Sequence, residues 1–142
     1  MPITCSFIYG VVDLPSGILL YINAGHPVPL ISNPASTKCR SLAATTMLLG
    51  VQGGVRTESC HQFGRNDRLV LYTDGLSETR NDHEMFFGDQ RIEKIVAAHT
   101  SQSAEVLIEA VFQEVDTFRK GAQEDDETLV VIDFEHVQHR GF

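Results

Sequence analysis

An α+β layered fold is what this sequence predicts, and three observations predict it. Short β-branched and aromatic runs fill the first half of the chain. Two amphipathic helical patterns then follow one another from Asp89 to Gly121. A last apolar run, residues 128–134, closes the pattern. Strands, then two helices, then a strand make an α+β layered fold. The length of 142 residues suits one domain, and no internal repeat or linker divides it.

Each element has a local reason. Residues 3–12 are β-branched and aromatic, so they read as a strand. Asp13-Leu-Pro-Ser-Gly17 is turn chemistry, and residues 18–23 are the returning strand of a hairpin. Ala24-Gly25-His26-Pro27 breaks that strand, and residues 28–32 form a short third one. Residues 33–44 are small and polar, which predicts loop. Residues 48–51 make a short apolar turn, residues 57–63 alternate weakly, and residues 64–67 turn into the strand Leu69 to Thr73. From Asp89, a candidate cap, Ile92, Ile95, Val96 and His99 share a helix face. Ser103 opens a second helix, whose Ala104, Leu107, Ile108, Val111, Val115 and Phe118 recur at helical spacing. Lys120-Gly121 is the expected stop.

Composition narrows the function classes. Hydrophobic residues are 42% and charged residues 21%, enough apolar material for a core. The net charge of −8 argues against nucleic acid and anionic membrane as partners. No apolar run reaches the roughly 18–20 residues that span a bilayer. Cys5, Cys39 and Cys60 are odd in number and form no CxxC pair. They read as small core or strand residues in a reducing cytoplasm, not as a disulfide frame or zinc site.

Chemistry concentrates at two strand ends. The apolar run Leu69-Val-Leu-Tyr-Thr73 stops at Asp74-Gly75, and Glu124-Asp-Asp-Glu127 precedes the last run. Carboxylates are hard ligands suited to divalent cations, and a glycine permits close backbone approach. Two such ends, far apart in sequence, suggest one shared metal site. Read alone, Asp74-Gly75 is rather an Asx turn, and residues 124–127 a solvated acidic loop. His26 is by itself a turn histidine, and Asn23 a hydrogen-bonding residue of the same turn. Glu124 and Glu127 are expected in solvent, Glu78 beside the loop after Asp74, and Tyr72 and Thr73 in the strand.

Six pieces, in order, carry a resemblance. They are Phe7-Ile-Tyr-Gly-Val-Val-Asp13, the Gly17 to Pro27 stretch ending Asn-Ala-Gly-His-Pro, and Leu49-Gly-Val51. Then come Asn66-Asp-Arg-Leu-Val-Leu-Tyr-Thr-Asp-Gly-Leu-Ser-Glu78, Asn81-Asp-His-Glu-Met-Phe-Phe-Gly88 and Asp125-Asp-Glu-Thr-Leu-Val130. Together the chain resembles the PPM family of metal-dependent serine/threonine protein phosphatases, in its SpoIIE/RsbU-like bacterial branch. The resemblance implies an α/β/β/α sandwich and a binuclear Mn²⁺ or Mg²⁺ centre that activates water against phosphoserine or phosphothreonine. It implies metal ligation by Asp74 and Asp125, with Gly75, Asp126 and His26 in support and no side chain as direct catalyst. The implied partner is a phosphorylated regulatory protein of the anti-sigma-antagonist type, in sigma-factor signalling.

One family segment has no match. Residues 1–142 hold no Asp-x-x-Gly-His-Gly-like stretch, whose Asp bridges the two metals in the family. The expectation is therefore a partial SpoIIE-like phosphatase domain over 1–142, truncated at its N-terminus, with weak or partial metal binding. The alternative is a non-catalytic, phosphatase-like module that binds a partner protein or itself. A strand so near residue 3 leaves an open sheet edge, which points to a homodimer.

Overall fold

The computed structural model describes residues 4–51 and 57–137. Strands β1 (Phe7–Asp13) and β2 (Ile18–Ala24) form an antiparallel hairpin in which Asp13 pairs with Ile18. The Asp13 carboxylate accepts the Ser16 amide at 3.1 Å, and Gly17 turns the chain at φ 70°. Four further strands are β3 (Leu30–Ser32), β4 (Arg40–Ser41), β5 (Ser59–Gln62) and β6 (Asp67–Tyr72). After β6 come three helices, α1 (Asp74–Ser77), α2 (Asp89–Ala98) and α3 (Ala104–Phe118), and then strand β7 (Leu129–Phe134). The strands make two sheets, ordered β1-β2-β5 and β4-β3-β6-β7.

Strand β6 holds the layers together because both its faces are buried. Leu69 faces Leu19, Tyr21, Ile31, Phe63 and Phe134, in the core between the two sheets, and Leu71 packs against the same cluster. Val70 and Tyr72 face Ile92, Val96, Leu107, Val111 and Val115, in the core under α2 and α3. The period of two along a strand thus explains why β6 reads as an uninterrupted apolar run. The far end of β6 is pinned by polar groups. Buried Asp67 accepts from the Gly64 amide, Asn33 Nδ2 and Arg40 Nη2. Buried Arg68 pairs with Asp133 at 2.5 Å and donates to the carbonyls of His99 and Gln102.

Several boundaries differ from the sequence reading. The first strand runs Phe7–Asp13, with Cys5 in an isolated bridge to Leu49; Ile3 lies outside the described residues. Ser103 caps α3 as expected, its hydroxyl accepting the Val106 amide at 3.3 Å. Asp89 does not cap α2: Gly88 occupies that position at φ 82°, and the Asp89 carboxylate instead accepts the Tyr72 hydroxyl at 2.9 Å. Helix α3 stops at Phe118, before Lys120, whose amide bonds to the Arg80 carbonyl at 3.0 Å. The polar stretch expected as loop contains the two-residue β4. The cysteines are all free; Cys60 is a strand residue of β5, as read, while Cys5 sits in an isolated bridge, and both are exposed. Cys39 is half-buried, and burial pushes its thiol up to about 11.

Three layers of an α/β/β/α sandwich are present among the described residues. The outer face of the three-stranded sheet is bare: Tyr9, Val11, Ile18 and Leu20 are 62%, 55%, 39% and 54% exposed. The topology makes a sharp contrast testable by urea denaturation. Leu19→Ala, facing the inter-sheet core, is expected to cost about 2–4 kcal/mol, and Leu20→Ala on the bare face less than about 1 kcal/mol. Equal losses would contradict this assignment of faces.

Candidate metal centre

Strands β6 and β7 are antiparallel, with Tyr72 opposite Leu129. The residues leaving β6 and those entering β7 therefore meet at one end of the sheet. Two backbone-linked bonds continue the pairing past the strands: the Thr73 amide donates to the Thr128 carbonyl at 3.1 Å, and the Thr128 amide to Thr73 Oγ1 at 3.0 Å. Thr73 Oγ1 also reaches the Asp126 carbonyl at 3.3 Å. Thr73 thus lies one residue past the strand, as the extended N-cap of α1.

Asp74 is the first residue of α1 and is exposed. Gly75 is buried against the acidic loop, and a Cβ there would collide with the Asp126 carbonyl oxygen. Only glycine permits that approach; what comes close is the chain's own acidic loop, where the sequence reading expected a ligand or metal. Asp125 and Asp126 are both exposed. Asp125 Oδ1 accepts the Asp126 amide at 2.7 Å, and its carbonyl accepts Gln123 Nε2 at 2.7 Å, two bonds within the loop itself. Beside it opens a cleft of about 250 Å³, lined by Gly75, Glu78, Arg80, Phe86, Lys120 and Asp125 among others.

His26 and Asn23 sit where β2 leaves its sheet. The Asn23 side-chain oxygen accepts the His26 amide at 2.9 Å, and His26 Nδ1 lies 2.9 Å from the Pro27 carbonyl oxygen. Asn23 is the structural turn residue that the sequence suggests. The segment from His26 enters β3, whose Leu30 pairs with Val70, so it approaches the end of β6 that leads to Asp74.

One expectation is corrected. Glu127 is not solvated: its side chain is 6% exposed and pairs with Arg119, itself 10% exposed, at 2.5 Å. Thr79 was also missed; its hydroxyl donates to the Gly75 carbonyl at 2.8 Å and lies 3.5 Å from Glu127 Oε1. An acidic run gives no hint which of its members turns inward, and the partner cation stands on a different element. Tyr72 is a strand residue as read, and burial, then nearby Asp89, pushes its phenol far above the usual range.

The donors are of the kind a hard divalent cation takes: exposed carboxylates on two loops that are tied together through Thr73, with the Asp126 backbone seated against Gly75. Among the described residues, no group of three or more His, Cys, Asp and Glu side chains is gathered to hold a metal.

Comparison with known proteins decides the family. The model for stage II sporulation protein E (SpoIIE) matches residues 3–135. The chain belongs to the SpoIIE family. It is similar to protein IcfG of Synechocystis, 31% identical over 134 residues, covering 93% of this chain and 21% of that protein. It is also similar to the phosphoserine phosphatase RsbU of Bacillus subtilis, 23% identical and covering 79% of this chain and 33% of RsbU. Among solved structures, the SpoIIE phosphatase domain of Bacillus subtilis matches with a TM-score of 0.71 at 18% identity, covering 96% of this chain and 58% of that one. The RsbU and RsbW domains of a Mycobacterium tuberculosis protein match with a TM-score of 0.72 at 25% identity, covering 89% of this chain and 35% of that one. The fold is that of the PP2C-type phosphatase domains. The chain spans about a fifth to a third of the curated relatives it matches.

The close approach at Gly75 is directly testable. Gly75→Ala is expected to lower unfolding free energy by about 1–3 kcal/mol, because the methyl group must push the acidic loop away. A loss below about 0.5 kcal/mol would show that the loop is not held against Gly75.

Proposed function

We propose that this chain is the part of a Mn²⁺- or Mg²⁺-dependent phosphoserine/phosphothreonine protein phosphatase that carries the Asp74 and Asp125 ligands. The observation that carries the reading is the meeting of the Asp74-Gly75 turn and the Asp125-Asp126 loop at one sheet end, in a chain of the SpoIIE family. When bound, paired divalent ions lower the pKa of a water and clamp phosphoryl oxygens. The chain's own contribution is positional. Asp74 and Asp125 bind, Gly75 brings their loops together, Asp126 adds negative charge, and the turn holding His26 flanks the same sheet end. The substrate class is a phosphorylated regulatory protein of the anti-sigma-antagonist type. RsbU, a phosphoserine phosphatase, and the joined RsbU and RsbW domains support that class. A cytoplasmic setting is supported by three free cysteines. No helix among the described residues is long and apolar enough to cross a membrane.

Residues 1–142 supply no match to the family's bridging Asp, so we read them as a partial domain with weak affinity for the ion and little turnover of their own. Two carboxylates and waters are a poor cage for Mg²⁺ or Mn²⁺. The test is Mn²⁺ titration followed by electron paramagnetic resonance, with hydrolysis of a phosphoserine peptide in excess Mn²⁺. Weak Mn²⁺ uptake is expected, lost in Asp74→Asn and Asp125→Asn, with turnover near background. Uptake equal in all three proteins would overturn the metal reading. Robust turnover abolished by both substitutions would overturn the partial-domain reading and make the chain a complete enzyme.

The second reading, a module that binds a partner or itself, is favoured by the bare apolar face of Tyr9, Val11, Ile18 and Leu20 beside the edge strand β1. A homodimer through this face is expected to appear in light scattering and to be split by Val11→Asp. A clean monomer at micromolar concentration that binds no hydrophobic dye would overturn it.

A further inference from the structure

The acidic loop that carries Asp125 is clamped from two sides, and only one side belongs to the paired strands. On that side Thr73 holds Asp126 and Thr128. On the other stands Arg119, the residue that ends α3. Its guanidinium pairs with Glu127 at 2.5 Å and with exposed Asp116 at 3.2 Å. Glu127 in turn lies against Gly75, and its Oε1 is 3.5 Å from the Thr79 hydroxyl that donates to the Gly75 carbonyl at 2.8 Å. A chain of contacts thus runs Arg119, Glu127, Thr79, Gly75, from the end of a core helix to the turn after Asp74.

An ion pair this buried is a weak source of stability, because desolvating both charges offsets their attraction. Its geometric consequence is larger. Residues 124–127 are four consecutive acids, and their mutual repulsion favours a loop spread into solvent. Arg119 is a buried cation on the inner side of that loop. It turns Glu127 inward, which leaves Asp125 and Asp126 exposed, with the Asp126 backbone against Gly75.

We propose that Arg119 and Glu127 are positioning residues: their ion pair holds the Asp125-Asp126 loop in its cation-receiving place before any ion arrives. The proposal rests on the metal reading of the site for its purpose, and on geometry alone for the clamp. Neither residue ligates the ion. Both act through Gly75 and the loop backbone.

The experiment uses the full chain and two readouts on Arg119→Gln, Glu127→Gln and Arg119→Lys. The first is amide hydrogen exchange without metal. The neutral variants are expected to speed exchange at the Asp126 and Thr128 amides about tenfold or more, a local opening, while Val70 and Val131 in the β6–β7 core keep their protection. The second is Mn²⁺ affinity, expected to fall about tenfold in Arg119→Gln and Glu127→Gln and to recover largely in Arg119→Lys. Unchanged exchange at Asp126 and Thr128, or exchange rising equally throughout β7, would overturn the clamp and leave the pair a general stabiliser. A local opening with unchanged Mn²⁺ affinity would overturn the positioning role. Absence of Mn²⁺ uptake by the wild-type chain would sink the metal reading and with it that role, while the exchange data still decide the clamp.

Discussion

Everything at the candidate site follows from the antiparallel pairing of β6 with β7. Antiparallel strands place the exit of one beside the entrance of the other, so residues 73–75 and 125–128 must meet, although about fifty positions separate them in sequence. A slip of one residue would exchange the faces of β6, moving Leu69 and Leu71 out of the inter-sheet core and Val70 and Tyr72 out of the helical one. Both faces being buried, the register is strongly specified. Asp67 and Arg68 fix the opposite end of the strand with charge-assisted bonds, so the site end inherits its place from a rigid element. The carboxylates themselves need no packing of their own.

Much of this was legible in the sequence because the decisive signals are local. The Leu69 run, the α3 periodicity with Ser103 before it, and the last apolar strand each carry their own pattern. That the segments of Asp74 and Asp125 meet at one sheet end was legible because each lies near an apolar strand where turn residues stand. What stayed hidden is tertiary. Helix α1 has four residues and no side-chain cap, so Asp74-Gly75 reads equally as a turn. Strand β4 is two exposed polar residues, which exist as a strand only because Leu30 and Ile31 lie beside them. Glu127 looks like its acidic neighbours until Arg119 is placed against it. Asp89 carries a capping residue's chemistry, but the Tyr72 hydroxyl claims it.

The division of layers frames the functional reading. One sheet face is closed by α2 and α3, the inter-sheet space is filled by aromatic and branched side chains, and Phe63 stacks on Phe134 with ring centroids 3.8 Å apart. The outer face of the three-stranded sheet instead presents tyrosine, valine, isoleucine and leucine to solvent. Among the described residues, the four-stranded sheet is thus covered on both faces and the three-stranded sheet on one. The carboxylate loops lie at the end of the sheet that is covered on both faces.

The central claim is that the ends of β6 and β7 form one cation site. Paramagnetic broadening by Mn²⁺ in amide spectra measures it most directly, because broadening falls steeply with distance from the ion. The account predicts that substoichiometric Mn²⁺ erases the signals of Asp74, Gly75, Asp125 and Asp126 together, spares Asp67 and Arg68 at the far end, and that Mg²⁺ restores them. Broadening confined to one loop, or scattered over the acidic surface, would contradict it.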